Sequence, residues 1–144
     1  MLRTVLVIAA VAVGATAVGA QDFIGQRRDL MKQSGAQARI GTQMVRGEAP
    51  FELAKAQAVF QTYIDKAAKL PQLFPDNSRT GGETTASPAI WDKPAEWKAA
   101  IAKFDSESKA AQAATKDLES FKAQFGMVQR NCGGCHETFR VKKS

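Results

Sequence analysis

The 144-residue chain is poor in the residues that build disulfide scaffolds and zinc sites, since it contains two cysteines and one histidine. Two cysteines cannot form the framework of a disulfide-stabilised fold. Three Cys and His side chains also fall short of the four ligands that a zinc site made of these residue types requires. With five prolines and 44% hydrophobic residues, the chain is neither collagen-like nor disordered. The length is that of one ordinary domain.

The N-terminus has the pattern of a secretory signal peptide. Arg3 precedes an uncharged apolar run at residues 5–13, and small residues at 18–20 follow where a signal peptidase reads the chain. The uncharged stretch is short for a membrane span, which needs about 20 apolar residues. The sequence therefore predicts a signal peptide at residues 1–20, cleaved near Ala20. It also predicts export to the periplasm and a mature domain, residues 21–144, without a membrane span.

Helical periodicity dominates the predicted mature domain, and no strand-like alternation extends beyond a few residues. Predicted helices cover residues 22–46, 51–70 and 116–141, and a further helix starts near Pro94. Two of these helices have a predicted buried stripe at helical spacing: Leu53, Ala56, Phe60, Tyr63, Ala67 and Leu70 on the helix at 51–70, and Trp97, Ile101, Phe104, Ser108 and Ala111 on the helix after Pro94. Between Pro71 and Pro94 the chain holds four of its five prolines, which excludes a long helix there. This connection is long for a compact domain, and its apolar side chains indicate that it packs back onto the fold. Two short turns and one long connection predict an all-α, antiparallel up-down-up-down four-helix bundle.

The last predicted helix has the clearest apolar stripe, in which the spacing alternates between three and four residues. This spacing is typical of left-handed packing in helix bundles. Both cysteines therefore lie on the side that faces the bundle. The stripe consists of Leu118, Phe121, Phe125, Val128, Cys132, Cys135 and Phe139.

The segment Cys132-Gly133-Gly134-Cys135-His136 is a C-x-x-C-H motif, the attachment signature of c-type haem. Thiols at i and i+3 of a helix project to one side, where they can form thioethers with two vinyl groups of one porphyrin edge. The next residue then brings an imidazole within reach of the iron. The competing interpretation is a redox dithiol, which normally opens a helix after a strand. A disulfide or a partial metal site is the remaining alternative. The all-helical context favours one covalent haem c with its iron.

Because His136 is the only histidine, the sequence predicts that it is the proximal iron ligand and that no second histidine occupies the other face. Met127 lies on the same helix and cannot cross the haem. Met31 lies near the start of the first helix, at the level of His136, whereas Met44 is about 20 Å further along the axis. Met31 is therefore the predicted distal ligand. The alternative is that Met31 is a core residue shielding an open iron site.

These features together resemble the class II cytochromes c, the cytochrome c′ family, across nearly the whole mature chain. The resemblance is carried by the C-terminal C-x-x-C-H with Glu137-Thr138-Phe139-Arg140 after it, by residues 28–32 and by the segments 73–75 and 87–91. The pattern is most similar to the low-spin branch called cytochrome c-556, in which the methionine of the Leu-Met-Lys segment binds iron. The high-spin branch leaves the iron five-coordinate and can bind small gases.

The resemblance also implies roles for basic residues near the haem. Arg140 would pack near the proximal imidazole, and Arg27 or Arg28 could pair with a propionate. Solvent-facing positions are an equally good interpretation for these arginines, because charged residues on helices mostly face water.

The leading functional hypothesis is a periplasmic electron carrier, not an enzyme, that exchanges single electrons with redox partner proteins. The alternative is a five-coordinate protein that binds small gases such as NO or CO. A net charge of +6, or +5 without Arg3, favours an acidic protein partner. We expect no nucleic-acid partner, and the sequence leaves monomer and homodimer both open.

Overall fold

The computed structural model describes residues 14–142, which contain five α-helices. The helices are α1 (Gly14–Arg46), α2 (Leu53–Lys69), α3 (Ala89–Asp92), α4 (Pro94–Ala114) and α5 (Leu118–Phe139). The long helices α1, α2, α4 and α5 pack in a ring, each against its chain neighbours, and α1 closes the ring against α5. The predicted all-α four-helix bundle is confirmed. In the described part of the chain, no helix is both long enough and apolar enough to cross a membrane.

The bundle core is formed by the stripes that the sequence predicts. On α4, the predicted positions from Trp97 to Ala111 are all buried, and on α5 Phe121, Phe125 and Val128 are buried. Phe121 stacks on Phe125 with ring centroids 5.2 Å apart. On α2 the predicted stripe is buried from Ala56 to Leu70, but Leu53 is 43% exposed because it lies at the first turn of the helix, beyond the packed part.

Local signals explain where the helices begin and end. Gly47 follows α1 with φ at 73°, a left-handed conformation that favours glycine after a helix. Pro94 occupies the first turn of α4, where its missing N–H breaks no helical hydrogen bond. Asp117 and Ser120 form a capping box at the start of α5.

The first helix is longer than its predicted range, because it starts at Gly14 instead of residue 22. The small and apolar residues before position 22 contain no proline that would stop the helix. Residues 1–13 of the predicted signal peptide lie outside the described residues. The cleavage site and the domain limits stay predictions.

The connection between α2 and α4 is ordered around short turns. Two 3-10 turns, Leu70–Leu73 and Asp76–Ser78, precede the single turn of α3. The Trp91 indole N–H donates to the carbonyl of Phe74 at 2.9 Å, which ties the two halves of this connection together. As predicted, its apolar residues pack inward, with Leu73 and Ile90 buried.

Candidate haem site

The C-x-x-C-H segment lies in the last two turns of α5, at one end of the bundle. Cys132 and Cys135 are half-buried free thiols, and His136 is exposed. Gly133 and Gly134 are exposed, and a Cβ built on either would meet nothing within 4 Å. The two thiol groups therefore belong to partly buried residues, and the two glycines between them leave open space.

A cavity of about 410 Å³ lies between α1, the α2–α4 connection and α5. Met31 of α1 and His136 of α5 both line it, as does Cys135. One wall is a row of aromatic rings in which Trp97 packs edge-on against both Phe74 and Phe139, each pair with centroids 5.1 Å apart. The cavity therefore combines an apolar wall with sulfur and imidazole donors.

A second cavity, of about 200 Å³, opens into the interior of the bundle on α1, α2, α4 and α5. Met31, Cys135 and His136 line this cavity as well, together with Cys132 and Lys66. The donor set around the two cavities is two thiols, one imidazole and one thioether, which are the groups that attach and ligate haem c. The residues present therefore fit this cofactor.

The other two methionines of the predicted mature chain lie elsewhere. Met44 is 1% exposed and belongs to the hydrophobic core. Met127 lines a separate cavity of about 380 Å³ between α4 and α5. Of the three, Met31 alone borders the two cavities that His136 lines.

The electrostatic environment suits a metal-ligating histidine better than a redox dithiol. Partial burial, followed by the positive charges of Arg140 and Lys66, lowers the pKa of His136, which favours the neutral imidazole that binds metals. Burial raises the pKa of the Cys135 thiol, although Lys66 opposes this effect. Reactive dithiols depend on a lowered thiol pKa. The Cys135 thiol therefore lacks this feature of a reactive dithiol.

The predicted arginine positions have different surroundings. Arg28 and Arg140 are exposed and line the larger cavity, and Arg28 pairs with Glu83. Arg27 is buried and holds the α2–α4 connection: it donates to the carbonyl of Leu73 at 3.1 Å and to the carbonyl of Ser78 at 2.8 Å. It also donates to the hydroxyls of Ser78 and Thr84 and lies 4.8 Å from the ring centre of Phe74.

The α2–α4 connection also pairs with the chain just after the haem motif. The Ser87 N–H donates to the carbonyl of Phe139 at 3.0 Å, and the Val141 N–H donates to the carbonyl of Thr85 at 2.9 Å. An isolated antiparallel bridge joins Ala86 to Arg140 between them. This pairing places residues 84–86 in the wall of the larger cavity.

Lys66 is the site residue that sequence reasoning missed. It is 8% exposed and lies on α2 between Tyr63 and Leu70, which the sequence does place on the buried stripe. Its position three residues after Tyr63 is the signal that could have revealed it.

Comparison with known proteins gives one family. Residues 22–140 match the family model described as cytochrome c′. A cytochrome c′ of Rhodopseudomonas palustris is 42% identical over 128 residues, covering 89% of this chain and 88% of the relative. A cytochrome c-556 of the same organism is 34% identical and covers 99% of each chain. The solved structure of a Rhodopseudomonas palustris cytochrome c′ superposes with a TM-score of 0.82 at 42% identity, covering 85% of this chain and 98% of that one.

Proposed function

This chain belongs to the cytochrome c′ family, and from that premise we propose that it is an exported one-electron carrier whose iron ligands are His136 and Met31. Haem c, bound covalently, is the cofactor of the family, and Cys132 and Cys135 are the two cysteines of the chain. When bound, the haem supplies a couple between Fe(III) and Fe(II) that accepts and releases one electron.

The observation that carries the proposal is the position of Met31 relative to the attachment motif. Met31 on α1 and His136 on α5 line the same two cavities, although the two residues are 105 positions apart in the sequence. A thioether and an imidazole are the donor pair that raises the reduction potential of c-type haem relative to other ligand sets. Because both helices belong to the packed bundle, the ligands would hold their places in both oxidation states.

The remaining residues of the site would bind the haem and shield it from water. Cys132 and Cys135 would each supply one sulfur for a thioether bond. The aromatic wall of Phe74, Trp97 and Phe139 excludes water from one side of the larger cavity. Water exclusion strengthens electrostatic effects at the iron. Arg28 and Arg140 at the exposed rim would meet the propionates or an acidic partner protein.

The test is an absorption spectrum of the oxidised and reduced holoprotein, with and without carbon monoxide. Sharp low-spin bands and no carbon monoxide adduct are expected. A Met31→Leu variant conserves volume but removes the sulfur, so it is expected to become high-spin and to bind carbon monoxide. Met127→Leu is the matched control, since Met127 lines neither of the cavities that His136 borders.

The result that would refute Met31 ligation is a broad high-spin spectrum of the wild-type protein, with ready carbon monoxide binding. The gas-binding alternative would then account for the site. A peptide containing Cys132 and Cys135 without added haem mass would contradict both functions.

A further inference from the structure

Lys66 is a buried lysine whose charge has no protein anion beside it. In the part of the chain that the structure describes, its ammonium group makes no hydrogen bond or salt bridge, and the residue is 8% exposed. Its nearest partners are aromatic: the Nζ atom lies 4.6 Å from the ring centre of Phe104 and 5.9 Å from that of Tyr63. Rings at such distances favour the charged form of a lysine.

A buried cation without a counter-ion is costly, and lysine is rarely buried unless it is paired. Burial accordingly lowers the pKa of Lys66, while the two cysteines act in the opposite direction. A purely structural role on α2 therefore does not explain why this position is a lysine. A methionine would fill the same space without this cost.

The position of Lys66 connects it to the haem site. Lys66 lines the 200 Å³ cavity together with Met31, Cys132, Cys135 and His136. The charged group of Lys66 and the two proposed iron ligands, Met31 and His136, therefore border one cavity. In a protein with two thioether bonds, neither cysteine can ionise, so neither can neutralise this charge.

We propose that the ammonium group of Lys66 raises the reduction potential of the bound haem. The inference rests on the proposed electron-carrier function. Reduction adds one electron from an external one-electron donor to Fe(III) and gives Fe(II), with no proton taken up and no bond broken. The site then carries one positive charge less, so a fixed cation nearby repels the reduced state less than the oxidised state.

The experiment is a potentiometric titration of the holoprotein and of Lys66→Met. At a fixed potential, the ratio of oxidised to reduced protein is expected to be about tenfold higher in the variant than in the wild type. This change corresponds to a reduction potential that is lower by about 59 mV. Lys66→Gln is a second neutral variant in case the methionine variant does not assemble, and Lys66→Arg keeps the charge and is expected to retain the wild-type potential. Lys69→Met removes the same charge from an exposed position on α2, where solvent and salt screen it.

Two results would overturn the inference. One is a neutral variant of Lys66 whose ratio of oxidised to reduced protein, at a fixed potential, stays within a factor of two of the ratio in the Lys69→Met control. The other is a neutral variant with a higher potential than wild type. The absorption spectrum of each variant reports on the iron ligands independently of the potential. A low-spin variant with an unchanged potential would reject the role of Lys66 but not the proposed electron-carrier function. A high-spin wild type rejects Met31 ligation, and the comparison of potentials still tests Lys66.

Discussion

Gly41 is where α1 and α5 approach most tightly among the glycines with described surroundings, and Gly41→Ala is expected to destabilise the bundle. A Cβ at position 41 would lie 2.4 Å from Cε2 and 2.6 Å from Cζ of Phe125. Carbon atoms in favourable contact are about 3.5–4.0 Å apart. The ring would have to move by about 1 Å, but Phe125 is 5% exposed and stacked on Phe121, so it has little room.

Two opposing effects set the size of the change. Overpacking a well-filled core costs about 1–3 kcal/mol. Replacing glycine by alanine inside a helix returns up to about 1 kcal/mol, because alanine loses less backbone entropy on folding. Gly126→Ala shares the second effect only, since Gly126 lies within α5 and a Cβ there meets nothing within 4 Å. The difference between the two variants therefore isolates the overpacking cost.

Guanidinium unfolding of the two holoprotein variants measures this difference. Gly41→Ala is expected to unfold with a free energy about 1–3 kcal/mol below that of Gly126→Ala, with a similar denaturant slope. Equal free energies of unfolding in the two variants would refute the reasoning, because they would mean that the ring of Phe125 moves aside at no cost.

Two further substitutions test the surroundings of the site. Arg27→Gln is expected to lower the free energy of unfolding by about 3 kcal/mol and to speed proteolysis of residues 79–84, because buried carbonyls lose a charged donor. Arg39→Gln, exposed on the same helix, is expected to change neither. Equal losses in both variants would argue against a stabilising role of the Arg27 hydrogen bonds. Burial raises the pKa of Tyr63, so the wild type is expected to lose stability as the pH rises above the unfolded tyrosine value of about 10, by about 1 kcal/mol per pH unit. Tyr63→Phe has no phenol to ionise, so its stability is expected not to show this loss, and parallel pH profiles of stability for the two proteins would contradict the prediction.

Much of the fold was predictable because its signals are local. The apolar spacing on α4 and α5 identifies the core face, and Pro94 and Gly47 mark helix limits. The start of α1 differs from its predicted position because the residues before 22 carry no helix-breaking signal. A signal peptide and a helix can share an apolar, uncharged composition. The sequence pattern therefore predicts where the chain is cleaved, but it does not predict where the helix begins.

The site was predictable only in part. The attachment motif is contiguous, and Met31 follows from helix direction and rise per residue. The burial of Lys66 and the hydrogen bonds of Arg27 depend on which helix faces pack against each other in the bundle. From sequence alone, a lysine or arginine in a helix is expected to be solvent-exposed. Only the packing of α2 against α4 brings the Nζ atom of Lys66 to 4.6 Å from the ring centre of Phe104.

The hydrogen bonds of Arg27 and the bridge at Arg140 also have a consequence for the order of folding. Arg27 lies 51 residues from Ser78, and the bridge joins residue 86 to residue 140, so both close long stretches of chain. Closing such loops costs entropy that is repaid only when the distant partners are in place. The α2–α4 connection is therefore expected to order after α1 and α5 have met, and to open before the bundle unfolds. Access to the larger cavity would then be governed by a local opening equilibrium, measurable by amide exchange at Ser87 and Val141.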